Sequence, residues 1–562
     1  MGMKRRLFLL FALFAATVAS AADKLPKKVD KAREAVAKVL TYKDGQLKGN
    51  GTAVFVGSAG DVLVTHGLMY STDSAVVIDA KGKVQPVSGI VGLSALYDCV
   101  RMRVQAGKKQ AHLPLAATGA SVGDELYMLA YGSKGTGAVT KMGVSSVDSL
   151  YSNAYFTLDV KMDEGYEGLP LVNANGELVA IMQPMTMGDT CSYAIAATIA
   201  DELVTTSLTY GRGYYNGMGI RTLLPQEKEP ALSCMYMQGV MGDSASYGRV
   251  VEEFIKAYPK SYEGYLCKAE FEAVYCHDID AADAAWEKAI SFASKPAEVY
   301  FSKAKTIASV MHKGNCVQHS TLTEENVLSL LDKAIAADSL PVYVYYKADH
   351  LYAAGRYDEA YVCYMSLAGR SGIEQDAVFA NAAQCQRVMK NYDVAIELMD
   401  SAVNHALVRS ADDALPLVLN RAMMNDSIGR YREAVMDYNF YESNAAYGLG
   451  ANFYYIRSQA ETKCKMYQQA LNDLETAISM APDYALYHFE KGLLCYRLNM
   501  LDDAVAALET AKGLANEASD VYYLLGCAYS RAGNKPLAEE NLQRAVVLGH
   551  PDAENKLEEL KK

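Results

Sequence analysis

Gly165 to Ile181, reading GYEGLPLVNANGELVAI, sets one ionisable side chain, Glu167, in a glycine-rich loop ahead of Pro170. Leu171-Val172 and Leu178-Val179-Ala180-Ile181 then flank Asn175-Gly176, the pattern of a β-hairpin. Three other stretches hold ligand-type residues. His312-x3-Cys316-x2-His319 spaces zinc-ligand types at i, i+4 and i+7, which would put them on one face of a helix. It has no fourth ligand or companion motif, so a solvated loop is the preferred reading and no metal site or cofactor is assigned. Cys276-His277-Asp278 is a weaker cluster of the same kind. Gly132 to Gly137 lacks the G-x-x-x-x-G-K-[ST] order of a phosphate loop and reads as a hairpin.

The elements that would position Glu167 are short and β-like. Runs at 35–42, 53–56, 62–65, 75–78, 100–104, 126–130, 155–160 and 178–181 fill a module of about 28–205. Asp44-Gly45, Gly57 to Gly60 and Lys81-Gly82 mark turns between them. Such spacing predicts a β-barrel or a sandwich, and patterning does not choose.

A resemblance chooses. The Gly165 stretch is similar to the nucleophile segment of trypsin-like serine proteases of the HtrA-like branch, G-x-S-G-G-P-L-V followed by an asparagine-glycine turn. Gly165, Gly168, Pro170, Leu171 and Val172 match, Glu167 stands at the serine, and Leu169 replaces the second glycine. Gly49-Asn50-Gly51-Thr52 with Ala53 to Val56 resembles that branch's G-S-G strand, and Val64-Thr65 its V-T before the catalytic histidine. Tyr97-Asp98-Cys99-Val100 resembles the D-x-A-V segment, and Ser192 to Leu203 the closing strand and short helix. Family spacing puts the histidine at Leu68, and His66 comes two positions early.

The resemblance implies an all-β trypsin-like double β-barrel in which Asp98 alone of the three relic triad positions, Leu68, Asp98 and Glu167, is retained. Acyl transfer by a triad needs a hydroxyl that an imidazole deprotonates. With leucine and glutamate at those positions no catalytic residue is assigned, and hydrolysis is expected to be lost. Two readings of the Gly165–Glu167 oxyanion loop stay open. Either the carboxylate occupies or faces the backbone N–H pocket that would hold an oxyanion, or it points to solvent. Asp98 is read as a carboxylate capping backbone amides.

The segment 206–233 carries Gly211, Gly213, Gly217, Gly219, Pro225 and Pro230 and is read as a connector packed between modules, with a flexible loop as the alternative. HtrA-like enzymes commonly continue into a PDZ domain here, but helical repeats begin too soon to leave room. From 234 to 562 an alanine, a large residue at +4 and usually a small one at +7 recur. The copies are Ala282-Trp286-Ala289, Ala360-Tyr364-Leu367, Ala395-Met399-Ala402, Ala434-Tyr438-Tyr441, Ala470-Leu474-Ala477, Ala504-Leu508-Ala511 and Ala538-Leu542-Ala545. Ala470, Ala504 and Ala538 lie 34 residues apart, the tetratricopeptide period. Tyr522, Gly526 and Tyr529 match the first helix of that repeat, Gly492 belongs to the same signature, and Pro482 falls at the turn. Val327-Leu331-Ala334 is a further copy and Val250-Phe254-Ala257 a worn one, giving eight or nine. One repeat cannot bury its apolar face alone, so an all-α solenoid with a peptide-binding groove is expected.

At 562 residues the chain is too long for one core. Lys4-Arg5-Arg6, the apolar run Leu7 to Val18 and Ala19-Ser20-Ala21 predict a signal peptide of residues 1–21 and export, to the periplasm or as a secreted protein. Its removal changes the net charge from −12 to −15, which disfavours nucleic acid. No membrane span is expected after cleavage. Eleven cysteines with no C-x-x-C pair read mostly as buried fillers. The combined expectation is a protein-binding scaffold with an inactive protease-like domain. The alternative is a divergent serine-type endopeptidase using His66 and a hydroxyl such as Ser145 or Ser146.

Overall fold

The computed structural model describes residues 25–561 apart from 106–109, 133–134, 163–164, 186–188, 212–216 and 313–318. The expected signal peptide lies outside the described residues. Strands β1 (Val36–Lys43), β2 (Gln46–Phe55), β3 (Asp61–Thr65), β4 (Ser74–Ile78), β5 (Val84–Ser94) and β6 (Cys99–Val104) close in the order β1-β2-β3-β6-β5-β4. A second barrel closes as β10-β11-β12-β9-β8-β7, from β7 (Glu125–Leu129), β8 (Val139–Leu150), β9 (Asn153–Leu158), β10 (Pro170–Val172), β11 (Leu178–Met182) and β12 (Ser192–Ala196). Two closed barrels, and no sandwich, therefore absorb the alternating runs, and closure leaves no edge strand unpaired. Val39, Val54, Phe55 and Met102 fill the first core, while Phe156, Leu158, Leu171 and Ala180 fill the second, all fully buried.

β5 carries Pro86, Gly89 and Gly92, and its register with β6 slips between Val87 and Gly89 and between Ile90 and Gly92. Both glycines serve a close approach. A Cβ on Gly92 would come within 2.2 Å of the Leu203 carbonyl carbon, and one on Gly89 within 2.8 Å of Arg221 O. The connector is thereby docked on the barrel. Ile90 N donates to Arg221 O and Leu223 N to Ile90 O, both at 2.8 Å.

Short helices α1 (Lys27–Ala32), α2 (His66–Met69) and α3 (Ile199–Glu202) accompany the barrels. The same compact unit takes in α4 (Lys228–Met241), α5 (Ser244–Ala257), α6 (Tyr262–Phe271) and α7 (Ile279–Phe292). Val250 and Phe254 of the worn first repeat are buried, whereas Ala257 is exposed.

The second compact unit comprises residues 295–308 and 320–562. Its helices pack in consecutive pairs, such as Ala485–Arg497 on Leu501–Leu514 and Ser519–Arg531 on Lys535–Val547. The repeat alanines Ala360, Ala395, Ala434, Ala470, Ala504 and Ala538 are fully buried, as is the large residue four positions on in each case. Glycine sits where the paired helix presses closest. A Cβ on Gly526 would meet Leu542 Cγ at 2.7 Å, and one on Gly492 Leu508 Cγ at 2.6 Å. Pro482 lies in the turn between Tyr467–Met480 and Ala485–Arg497. The first helical unit shows the same packing at Ala282 and Trp286, both fully buried in α7.

Candidate functional site

β3 and β6 run antiparallel with Val64 opposite Val100 and Thr65 opposite Cys99. That register puts His66, the first residue of α2, against Asp98. Asp98 has φ +47°, a left-handed conformation that aspartate tolerates better than most residues. The bend turns both of its acceptors toward the start of α2. Its carbonyl accepts the His66 N–H at 3.1 Å and its Oδ1 accepts the Gly67 N–H at 2.7 Å. Asp98 thus caps orphan amides of a four-residue helix. The His66 ring has no hydrogen bond among the described residues.

Leu68 is the third residue of α2 and is half-buried. Its methyl groups lie over the glycines of β2, where a Cβ on Gly51 would approach Leu68 Cδ2 to 2.7 Å and one on Gly49 would approach Cδ1 to 3.3 Å. A branched apolar side chain here packs on the barrel wall.

The second barrel supplies the loop before β10. Gly165 (φ +100°) and Gly168 (φ +78°) take conformations that L-residues rarely adopt, and Glu167 stands between them. Gly168 N donates to Met182 O at 2.9 Å, and a Cβ on Gly168 would lie 2.9 Å from Thr65 Cγ2. The loop is therefore pressed onto the end of β3, which brings Glu167 into the electrostatic field of Asp98. Glu167 is exposed, and its Oε2 accepts the Gly165 N–H at 2.9 Å. Leu169, at the position of a family glycine, is buried in the second core, with its carbonyl accepting from Met182 N at 2.9 Å.

Burial at this junction raises the Asp98 carboxyl above its ordinary range. Burial is the largest cause, the Glu167 carboxylate adds to it, and the Gly67 N–H bond and His66 oppose it.

Beyond the loop, Asn173 Oδ1 accepts from Asn175 N and Glu177 N at 3.0 and 3.1 Å, and Gly176 has φ +73°, closing the expected asparagine-glycine turn.

The other candidates do not join this cluster. Ser145 and Ser146 lie on β8, and Ser146 Oγ donates to Asp148 Oδ2 at 3.0 Å. No hydrogen bond links either serine to His66 among the described residues. His312 ends the helix Ala297–His312, Cys316 lies outside the described residues, and His319 Nε2 is 3.2 Å from Asp280 Oδ1. Among the described residues no three histidine, cysteine or acidic side chains are placed to hold a metal ion. The Gly132–Gly137 stretch joins the paired strands β7 and β8, with 133–134 outside the described residues. The ten described cysteines are all free thiols. Among the described residues no helix is long and apolar enough to cross a membrane.

Residues 51–181 match the family model of the trypsin-like peptidase domain. Among solved structures, a serine endoprotease from Yersinia pestis aligns at 19% identity and a TM-score of 0.29, over 33% of this chain and 66% of its own, just under two thirds of its length. Two structures of MamA align at 20% identity with TM-scores of 0.28 and 0.27, over 32% and 31% of this chain and 95% and 96% of their own. No curated protein matches the chain. The chain carries a trypsin-like peptidase domain, matched over residues 51–181 and set in two six-stranded barrels, followed by a long helical region.

Proposed function

We propose that this chain is an exported scaffold or adaptor that captures peptides or proteins in its helical-repeat groove, and that its protease-like domain no longer cleaves. One observation carries the second half. The side chain at the nucleophile position is a carboxylate, and it accepts the Gly165 N–H at 2.9 Å. In the family that amide belongs to the oxyanion-binding loop. A carboxylate held there by a charge-assisted bond competes with any substrate carbonyl for the same donor.

The base is missing as well. Leu68 packs on Gly49 and Gly51, and Asp98 spends its Oδ1 on the Gly67 amide. Neither nucleophile nor general base is in place for triad chemistry. Support for capture comes from the helical pairs of the second unit, where buried alanines, Tyr364 and Tyr438 build a stacked array. Arrays of this kind present extended concave binding surfaces. Export to the periplasm, protein partners, no nucleic-acid ligand and no cofactor complete the reading.

The full-length protein, immobilised and challenged with an envelope extract, should retain specific polypeptides intact. The same preparation should leave an unstructured protein substrate uncut. Cleavage of the captured chains would reverse the assignment in favour of a divergent endopeptidase.

A further inference from the structure

A cavity of about 490 Å³ lies where the segment leaving the second barrel crosses β5 and β6 before entering α4. That volume suits a small ligand. Val91, Leu224, Pro225 and Pro230 contribute apolar surface to its lining, and Arg101 and Arg103 of β6, with Thr205, Thr206 and Glu227, contribute polar groups.

The guanidinium pair is held in place from behind. Asp61, with a side chain only 2% exposed, accepts from Arg101 Nε and Nη2 at 3.0 and 2.7 Å and from Arg103 Nε and Nη2 at 2.8 and 3.2 Å. Arg101 Nη1 donates to Ala200 O at 2.9 Å. Arg103 Nη1 has no partner among the described residues. One carboxylate thus serves two guanidiniums, and Glu227, an exposed residue of the lining, balances the remaining charge, so Arg103 offers the cavity unspent N–H donors and no net charge.

A guanidinium with unspent donors beside Val91, Leu224 and Pro225, in a cavity of mixed lining, suits a carboxylate attached to an apolar body. We propose that this cavity binds such a monocarboxylate, with its oxygens on Arg103 and its body against Val91, Leu224 and Pro225. This site is separate from the Glu167 loop and stands whether or not the barrels cleave. The carboxylate could come from a peptide C-terminus or a free aliphatic acid, and the probes separate the two.

Calorimetric titration of the full-length protein with octanoate and with N-acetyl-Ala-Leu tests the proposal, with octanamide and N-acetyl-Ala-Leu amide as controls. At least one acid should bind, and at least tenfold more tightly than its amide. Whichever acid binds identifies the source. Arg103→Ala should weaken binding tenfold or more. Because that change also strips Asp61 of a partner, Ser233→Trp provides a second variant. Ser233 is an exposed residue of α4 lining the cavity, so the indole fills the space and leaves the Asp61 ion pairs intact. It should abolish binding with an unchanged circular dichroism spectrum. The proposal is overturned if neither acid binds, if the amides bind as tightly, or if Ser233→Trp binds like the unaltered protein.

Discussion

Glu167 folds back on its own loop, and its Oε2 receives the N–H of Gly165, two residues earlier, at 2.9 Å. The bond forms because Gly165, at φ +100°, holds a backbone geometry open to glycine and few other residues. A carboxylate in that place does two things. It occupies the Gly165 amide, and it adds negative charge beside Asp98.

The second effect is measurable. Burial raises the Asp98 carboxyl first, and the Glu167 charge raises it further. Glu167→Gln keeps the shape and removes the charge, so the Asp98 titration followed by carbon-detected NMR should move to lower pH. A carboxyl raised by folding contributes stability at low pH that is lost as pH rises through its folded value. The variant should therefore lose less stability on neutralisation than the unaltered protein. An unchanged Asp98 titration would show that Glu167 does not act on it.

Packing between paired helices gives a sharper contrast. Gly526→Ala puts a methyl 2.7 Å from Leu542 Cγ and 3.1 Å from Leu542 N, so the variant should lose about 1–3 kcal/mol in denaturant unfolding. Gly513→Ala, in the helix Leu501–Leu514, meets nothing within 4 Å and should gain about 0.5–1 kcal/mol. Equal effects of the two substitutions would contradict the close approach of Ser519–Arg531 to Lys535–Val547.

Inside the helical unit, Glu461 is 3% exposed and lies near Arg457 and Asp473. Burial, then the charge of Asp473, raise its carboxyl to about 8 against the opposing pull of Arg457. The folded state thus holds this proton more tightly than the unfolded chain. Its contribution is complete below about pH 4.5 and is lost as pH rises to about 8. Unfolding of the unaltered protein should become easier by about 2–3 kcal/mol between roughly pH 6 and 9, and Glu461→Gln should flatten that slope.

Asp61 behaves in the opposite sense. Burial pushes its carboxyl up, but the hydrogen bonds from Arg103 and Arg101 outweigh it and hold the group below its ordinary value of 3.8. The stability from this ion triad is present above that pH and is lost as pH falls below it. Asp61→Asn should therefore lower the stability at neutral pH and reduce the steepness of acid unfolding, as read by fluorescence.

Much of this was legible in the residues, for physical reasons. The repeat alanines could be read because two helices in contact admit only a small side chain, so Ala470, Ala504 and Ala538 recur at the period of the stack. β11 and the Val62–Val64 centre of β3 showed as apolar runs because both strands are buried throughout. β5 did not show. Its Gly89 and Gly92 serve the backbone of 203–204 and 221–223, a tertiary demand that breaks strand patterning at both positions. The place where the connector docks on β5, and the cavity beside it, were hidden for the same reason. At the candidate site the resemblance singles out Glu167, Leu68 and Asp98, but which amide each carboxylate takes depends on side-chain torsions and loop geometry, which no spacing rule encodes.

The proposal that the barrels no longer cleave is tested most directly by a fluorophosphonate probe on the full-length protein, with the labelled residue identified by mass spectrometry. The unaltered chain and Glu167→Ser should both stay unlabelled, because a serine beside Leu68 has no base. Adding Leu68→His should raise labelling at position 167 by about a hundredfold or more over Glu167→Ser alone, the range a general base supplies. Labelling of any barrel residue in the unaltered protein would contradict the loss of hydrolysis.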